Sequence, residues 1–228
     1  MKRLVKRLEI APGIHWIEGI IGNCYLLIDK DITLIDTGMP HNTKKILDYF
    51  SDELRRATSD LKTIVITHCH IDHIGNAQEL RDLTGAKIAA HREDVGYISG
   101  EKALPMPEVS RDDFKHAAAS MKVQPFQVDI VLKDGDKVAG LTVHHVPGHT
   151  PGSIALYDDV RKALFSGDAL GYKDGKVQGP PEQFTVDLKL AHKSIEKLKL
   201  LDFDIMLVGH GEPLRSDASA KVREFNFK

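Results

Sequence analysis

The chain has 228 residues, with 31 Lys and Arg against 33 Asp and Glu and a formal charge of −2 when histidines are neutral. That balance excludes a polybasic arm or an acidic tail as the working device, and 42% hydrophobic residues with evenly spread charge exclude a disordered chain. Twelve histidines stand beside only two cysteines, Cys24 and Cys69, so the chain invites a search for imidazole chemistry rather than for a disulfide framework.

The opening, MKRLVKRLEIAPG, is basic but has no apolar h-region, and no run approaches about 18 apolar residues. The expectation is a cytoplasmic protein with no membrane partner, forming one domain over residues 1–228. Short apolar runs at 15–17, 24–28 and 32–35, separated by Gly, Asn and Asp, predict consecutive strands. Ile46, Leu47, Phe50 and Leu54 then fall at helical spacing. Residues 61–67 return to strand character, and Ile74, Ala77, Leu80 and Leu83 predict a second helix ending near Gly85. Residues 97–125, with Gly100, Pro105 and Pro107, are irregular and are a candidate lid or substrate segment. Strands are predicted at 128–132, 141–146, 154–157 and 163–165. A helix carrying Leu188, Ala191, Ile195 and Leu198 and a last strand at 205–208 follow. Alternating strands and helices in two similar halves predict an α/β body with two sheets.

Directly after Ile64-Val65-Ile66 comes Thr67-His68-Cys69-His70-Ile71-Asp72-His73. In an extended chain His68, His70 and Asp72 would share one side while Cys69 and Ile71 take the other. A bend would then aim His73 at a second position beside Asp72. Four nitrogen and oxygen ligands within six residues exceed what one open tetrahedral ion needs if further ligands come from elsewhere, which suggests two ions. Three further candidates each follow an apolar strand and a glycine: His149 in Val146-Pro147-Gly148-His149, Asp168 in Phe165-Ser166-Gly167-Asp168, and His210 in Val208-Gly209-His210. Taken singly, such a histidine is more often a surface or hydrogen-bonded residue than a ligand, and such an aspartate a turn former or helix cap. Recurring together they support a metal centre. His15, His41, His91, His116, His144, His145 and His192 lack that context.

These residues resemble the metallo-β-lactamase superfamily of hydrolases. The likeness is carried by Asp36 in Leu34-Ile35-Asp36-Thr37-Gly38, the HCHIDH cluster, His149, Asp168 and His210, in the family's order. It implies a four-layer αβ/βα sandwich, the metallo-β-lactamase fold. It also implies that His68, His70 and His149 hold a first ion, that Asp72, His73 and His210 hold a second, that Asp168 bridges both, and that Asp36 orients a ligand histidine. Zinc β-lactamases of the fold place Cys or Ser where Asp168 stands. Glyoxalase II enzymes share the ligand set and add a helical domain beyond the last histidine; with eighteen residues after His210, that domain and its glutathione thioester specificity are not expected. Nucleic-acid-processing members carry basic arms that a charge of −2 does not suggest. Flavodiiron proteins carry a glutamate in the cluster, and persulfide dioxygenases use a similar motif with one iron. Lactonases of the superfamily add a tyrosine shortly after the bridging aspartate, and Tyr172 lies four residues after Asp168.

The leading expectation is a hydrolase with two divalent ions, zinc first and iron or manganese as alternatives. A metal-bound hydroxide would attack a small ester, thioester or lactone carbonyl. Asp72 would relay a proton, and the Tyr172 phenol would contact substrate or else pack on its loop. Pocket walls are expected from 97–125 and 171–184, through Leu104, Met106, Met121, Tyr172 and Phe184. No GxSxG occurs, so covalent catalysis is not indicated. Alternatives are a mononuclear iron persulfide dioxygenase, β-lactam or phosphodiester hydrolysis as a main or promiscuous activity, and a binding protein with a vestigial site.

Overall fold

In the computed structural model, which describes residues 9–107 and 123–227, seven strands lie in one sheet in chain order. They are β1 (Glu9–Ala11), β2 (Ile14–Ile17), β3 (Cys24–Ile28), β4 (Ile32–Ile35), β5 (Leu61–Val65), β6 (Lys87–His91) and β7 (Ile130–Leu132). The first four form an antiparallel meander. From β4 to β7 the pairing is parallel, because each connection is long enough to cross over. The described crossover helices are α1 (Thr43–Tyr49), running into a π-helical turn Phe50–Leu54, then α2 (Ile71–Ile74), α3 (Ala77–Thr84) and α4 (Arg92–Ile98).

In the second sheet β8 (Lys137–Val138), β9 (Leu141–His145), β10 (Ile154–Asp158) and β11 (Ala163–Gly167) are antiparallel neighbours. A hairpin of β12 (Gly171–Lys173) and β13 (Lys176–Gln178) stands apart from it. After the crossover helix α5 (Leu188–Leu198), β14 (Ile205–Val208) returns parallel to β11, which gives the order β14-β11-β10-β9-β8. The helix α6 (Ala218–Glu224) follows.

Side-chain alternation sorts these elements into four layers. On β3, Tyr25 and Leu27 face a middle core shared by both sheets, while Cys24 and Leu26 face an outer core under α1 and α3. On β11, Ala163 and Phe165 join the middle core, and Leu164 faces the outer core under α5 and α6. The result is the αβ/βα sandwich expected from the family likeness. Phe165 meets Tyr25 of the opposite sheet edge to face at 5.7 Å. Truncating that buried ring to alanine would cost about 3–5 kcal/mol.

Three local readings change. Leu83 was expected on the buried face, but it is 59% exposed. A three-residue step falls about 60° short of a full turn, so Ala77 and Leu80 stay buried while Leu83 drifts out. Residues 87–98, of which the sequence suggested no element before the irregular stretch beginning at 97, form β6 and α4. Within the candidate lid, residues 108–122, including Met121, lie outside the described residues. Of the rest, Leu104 packs against the outer core of the first sheet and Met106 is buried, and neither lines the large cleft.

Candidate metal centre

Every candidate ligand leaves the C-terminal end of a strand. Asp36 follows β4, residues 67–73 follow β5, His149 follows β9, Asp168 follows β11 and His210 follows β14. The parallel pairings β4 to β5 and β11 to β14 bring these loops to one edge of the sandwich. The three preceding glycines serve two needs. Gly148 and Gly167 adopt positive φ, +135° and +50°, whereas at Gly209 a Cβ would collide with Asp168 Oδ1.

The structure gathers all seven expected ligands into overlapping groups. His68, His70 and His149 form one, Asp72, His73 and His210 a second, and His68, His73 and Asp168 a third; within each, one ligand atom per residue lies within 4.8 Å of the others. The strand-parity expectation is corrected. The strand β5 ends at Val65 and the helical turn α2 starts at Ile71, so alternation stops there. Asp72 consequently groups with His73 and His210 rather than with His68 and His70. The rings of His68, His70 and His149 converge edge to face, with centroids 4.6 to 4.8 Å apart. Asp168 sits between the groups: Oδ1 is 3.5 Å from His73 Nε2, and Oδ2 is 3.5 Å from His149 Nε2 and 3.3 Å from His210 Nε2.

Hydrogen bonds behind the rings decide which nitrogen faces inward. Asp36 Oδ2 accepts from His73 Nδ1 at 2.8 Å, as the second-layer role expected of it requires. Thr67 Oγ1 donates to Asp36, so at 3.1 Å it accepts from His68 Nδ1. Thr185 Oγ1 donates to the Pro181 carbonyl and likewise accepts from His149 Nδ1 at 3.1 Å. In their neutral form all three histidines therefore turn a bare Nε2 inward. His70 is reversed: Nε2 donates to the Pro105 carbonyl at 3.4 Å, which places the lone pair on Nδ1. This is the contribution of the described part of the candidate lid.

The charges are polarised. Burial alone would lower His73, but Asp168, Asp36 and Asp72 raise it to about 9. His210 is lowered by burial but raised to about 10 by Asp168 and Asp72. Burial, helped by neighbouring histidines, pushes His68 and His70 down and His149 down to about 3. Asp72 and Asp168, despite burial, are held below the carboxylate range by these imidazoles. His68 Nε2, His149 Nε2 and Asp168 Oδ1 are buried with no hydrogen-bond partner among the described residues. Leaving such atoms unsatisfied costs about 1–3 kcal/mol each. Imidazole nitrogens and a carboxylate oxygen turned onto one small space suit a divalent cation.

Anchors that the sequence reading missed hold the loops. Asn23 Nδ2 donates to the carbonyls of Val208 and Gly211, both at 2.8 Å, and brackets His210. Thr37 Oγ1 donates to the His73 carbonyl and accepts from Asn76 N. A Gly-Asn pair looks like a turn in sequence, so nothing marked Asn23. Cys69 is buried in the outer core and its thiol is pushed up by burial and by Asp94, in keeping with its expected lack of a nucleophilic role. Of the seven histidines set aside, His116 lies outside the described residues, and none of the other six joins a metal-competent group among the described residues. His91 instead stacks on His145 at 3.9 Å.

From His70, Asp72, Asp168 and His210 a cleft of about 1010 Å³ extends along Ile71, Leu170, Tyr172, Pro181 and Phe184. Tyr172 also packs against the outer core of the second sheet, with Lys221 Nζ 5.6 Å from its ring centroid.

The family model described as the metallo-beta-lactamase superfamily matches residues 17–210. A probable metallo-hydrolase, YflN of Bacillus subtilis (strain 168), is 30% identical over 233 residues, covering 90% of this chain and 86% of the relative. An acyl-coenzyme A thioesterase, MBLAC2 of Bos taurus, is 32% identical over 187 residues, covering 71% of this chain and 65% of the relative. The crystal structure of a metallo-beta-lactamase family protein, TTHA1429 from Thermus thermophilus, superposes with a TM-score of 0.75 at 26% identity. It covers 94% of this chain and 78% of that one.

Proposed function

The chain belongs to the metallo-beta-lactamase superfamily and is a metallo-hydrolase of that fold, and from that premise we propose that it cleaves a small ester, thioester or lactone at a centre of two divalent ions. The observation that carries this reading is Asp168, whose two oxygens face ligands of both groups. A mononuclear iron dioxygenase would need one group alone, and the second group of Asp72, His73 and His210 favours the dinuclear reading. The bovine relative, named as an acyl-coenzyme A thioesterase, supports an acyl thioester within the proposed class.

In this proposal His68, His70 and His149 hold one ion, Asp72, His73 and His210 the other, and Asp168 both. Divalent ions in such a centre supply water ionised near neutral pH and polarisation of a carbonyl oxygen. Zinc is the proposed metal, with iron or manganese as alternatives. The chain's own residues do the rest. Asp36, Thr67, Thr185 and the Pro105 carbonyl hold the imidazoles of His73, His68, His149 and His70 in their ligand tautomers. Asp72, a quarter exposed at the cleft, takes up the proton released when the nucleophile adds and passes it to the leaving group. Ile71, Leu170 and Phe184 receive the apolar part of the substrate and exclude water beside it.

A small-molecule substrate, no nucleic-acid partner and a cytoplasmic setting belong to the same proposal. Among the described residues no helix is long and apolar enough to cross a membrane. Elemental analysis followed by a panel of thioesters, lactones, phosphodiesters and β-lactams on one preparation tests it. Close to two metal ions per chain, and carbonyl hydrolysis that chelation abolishes, are expected. Undiminished hydrolysis by metal-free protein would sink it, as would iron alone with oxygen uptake on a persulfide.

A further inference from the structure

The two loops that bring His68, His70 and His149 together are joined by a carboxylate belonging to neither. Asp94, in the first turn of α4, is 1% exposed. Its Oδ2 accepts the Cys69 backbone N–H at 2.9 Å and the Thr150 hydroxyl at 2.8 Å. Its Oδ1 accepts the Gly152 N–H at 2.7 Å. Cys69 lies between His68 and His70, and Thr150 directly follows His149. A Cβ at position 152 would come within 2.6 Å of Asp94 Cγ and Oδ1, so Gly152 is required by the closeness of this approach. The bond from Ile154 N to the Thr67 carbonyl ties the same two loops at their base. Asp94 ties them where the histidines are.

The other ligands hang elsewhere. His73 is fixed by Asp36, and the His210 loop by Asn23. We propose that Asp94 is a positioning residue that sets the spacing of His68, His70 and His149 and so governs binding of one ion of the pair while leaving the other nearly untouched. The inference rests on the dinuclear reading above and adds to it an asymmetry between the two ions that has its origin outside the ligand set.

Asp94→Asn keeps the shape but replaces one acceptor with an N–H₂, which must face the Cys69 or Gly152 N–H, so the loops part. Chelated protein titrated with Zn(II) by calorimetry should show two binding events in the wild type. In Asp94→Asn one event should weaken about 10–100-fold, as is typical when a partner behind a ligand is lost, and the other should stay within about threefold. Co(II) titration gives a second readout: one of two absorption components should be lost from the variant spectrum. Thr150→Val removes one of the three donors and should weaken the same event by less, and Thr150→Ser should restore it. That pair carries the test if Asp94→Asn does not fold.

Two unchanged events in the variants would overturn the inference. So would equal weakening of both events alongside a lower melting temperature, which would mark Asp94 as support for the fold in general. A wild type that binds no Zn(II) would instead remove the dinuclear reading, and this inference with it.

Discussion

Asp36 Oδ2 accepts from His73 Nδ1 at 2.8 Å while the same carboxylate accepts the backbone N–H and the hydroxyl of Thr67, each at 2.7 Å. Three donors converge on one carboxylate that is 2% exposed. Asp36→Asn therefore turns a donor toward a donor, whichever way the amide is flipped. We expect metal affinity at the His73 group to fall about 10–100-fold and the fold to lose about 1–3 kcal/mol. Calorimetric metal titration and urea unfolding of the chelated protein measure the two effects separately. An Asn variant equal to wild type in both would show that His73 needs no such partner.

Metal uptake should release protons. In the metal-free protein burial disfavours the charged form of His73 and His210, but Asp168, Asp72 and, for His73, Asp36 raise them to about 9 and about 10. Both values lie above the ordinary 6.5, so the folded metal-free state holds these protons at pH 7.5. The stability they contribute is complete below 6.5 and is lost as pH rises through 9 to 10. A ligand nitrogen must be bare, so two or more protons per chain should leave when both ions bind. Calorimetry at pH 7.5 in buffers of different ionisation enthalpy counts them. A count near zero would contradict the arrangement of charges described above.

The ligands were readable from the chain because metal chemistry demands particular residue types whatever backbone carries them. Their grouping was not, since it depends on the switch from strand to helical turn at Ile71, which ends the alternation of faces. Asp94 and Asn23 were invisible for a different reason. A lone Asp or Asn with several buried hydrogen bonds has the same sequence appearance as a helix cap or a turn. The strand Lys87-Ile88-Ala89-Ala90-His91 contains two alanines with little β preference, and its place between β5 and β7 is decided by its neighbours. The β12–β13 hairpin did carry a signal: Asp174 and Gly175, at φ +52° and +79°, are the two-residue Asp-Gly turn that joins paired strands.

Away from the metal centre, His91 should make the protein less stable in mild acid. Burial first, and the stacked His145 next, lower it to about 4, and its neutral Nδ1 accepts the Glu93 N–H at the start of α4. The folded value lies below the ordinary 6.5, so this stability is present above 6.5 and is lost as pH falls toward 4. About 2 kcal/mol should go between pH 7 and pH 5. His91→Asn keeps a capping acceptor without a titrating group. Urea unfolding of both chelated proteins at the two pH values should show the smaller loss in the variant. Identical losses would place the acid sensitivity elsewhere.

Tyr172 separates a catalytic phenol from a pocket wall. Its residue borders the cleft, yet its ring packs on the outer core of the second sheet with Lys221 above it, and these contacts favour the wall. Removing the hydroxyl should then matter little: Tyr172→Phe is expected to keep kcat within about threefold, since no transition-state hydrogen bond is lost. Removing the ring should loosen β12 from α6 and open the cleft. Tyr172→Ala is therefore expected to raise KM for substrates with a longer apolar part, while metal content stays at the wild-type value. Loss of one good hydrogen bond to a developing charge typically lowers kcat by about a hundredfold or more. A fall of that size in Tyr172→Phe, with both ions still bound, would assign the phenol to the reacting oxygen instead.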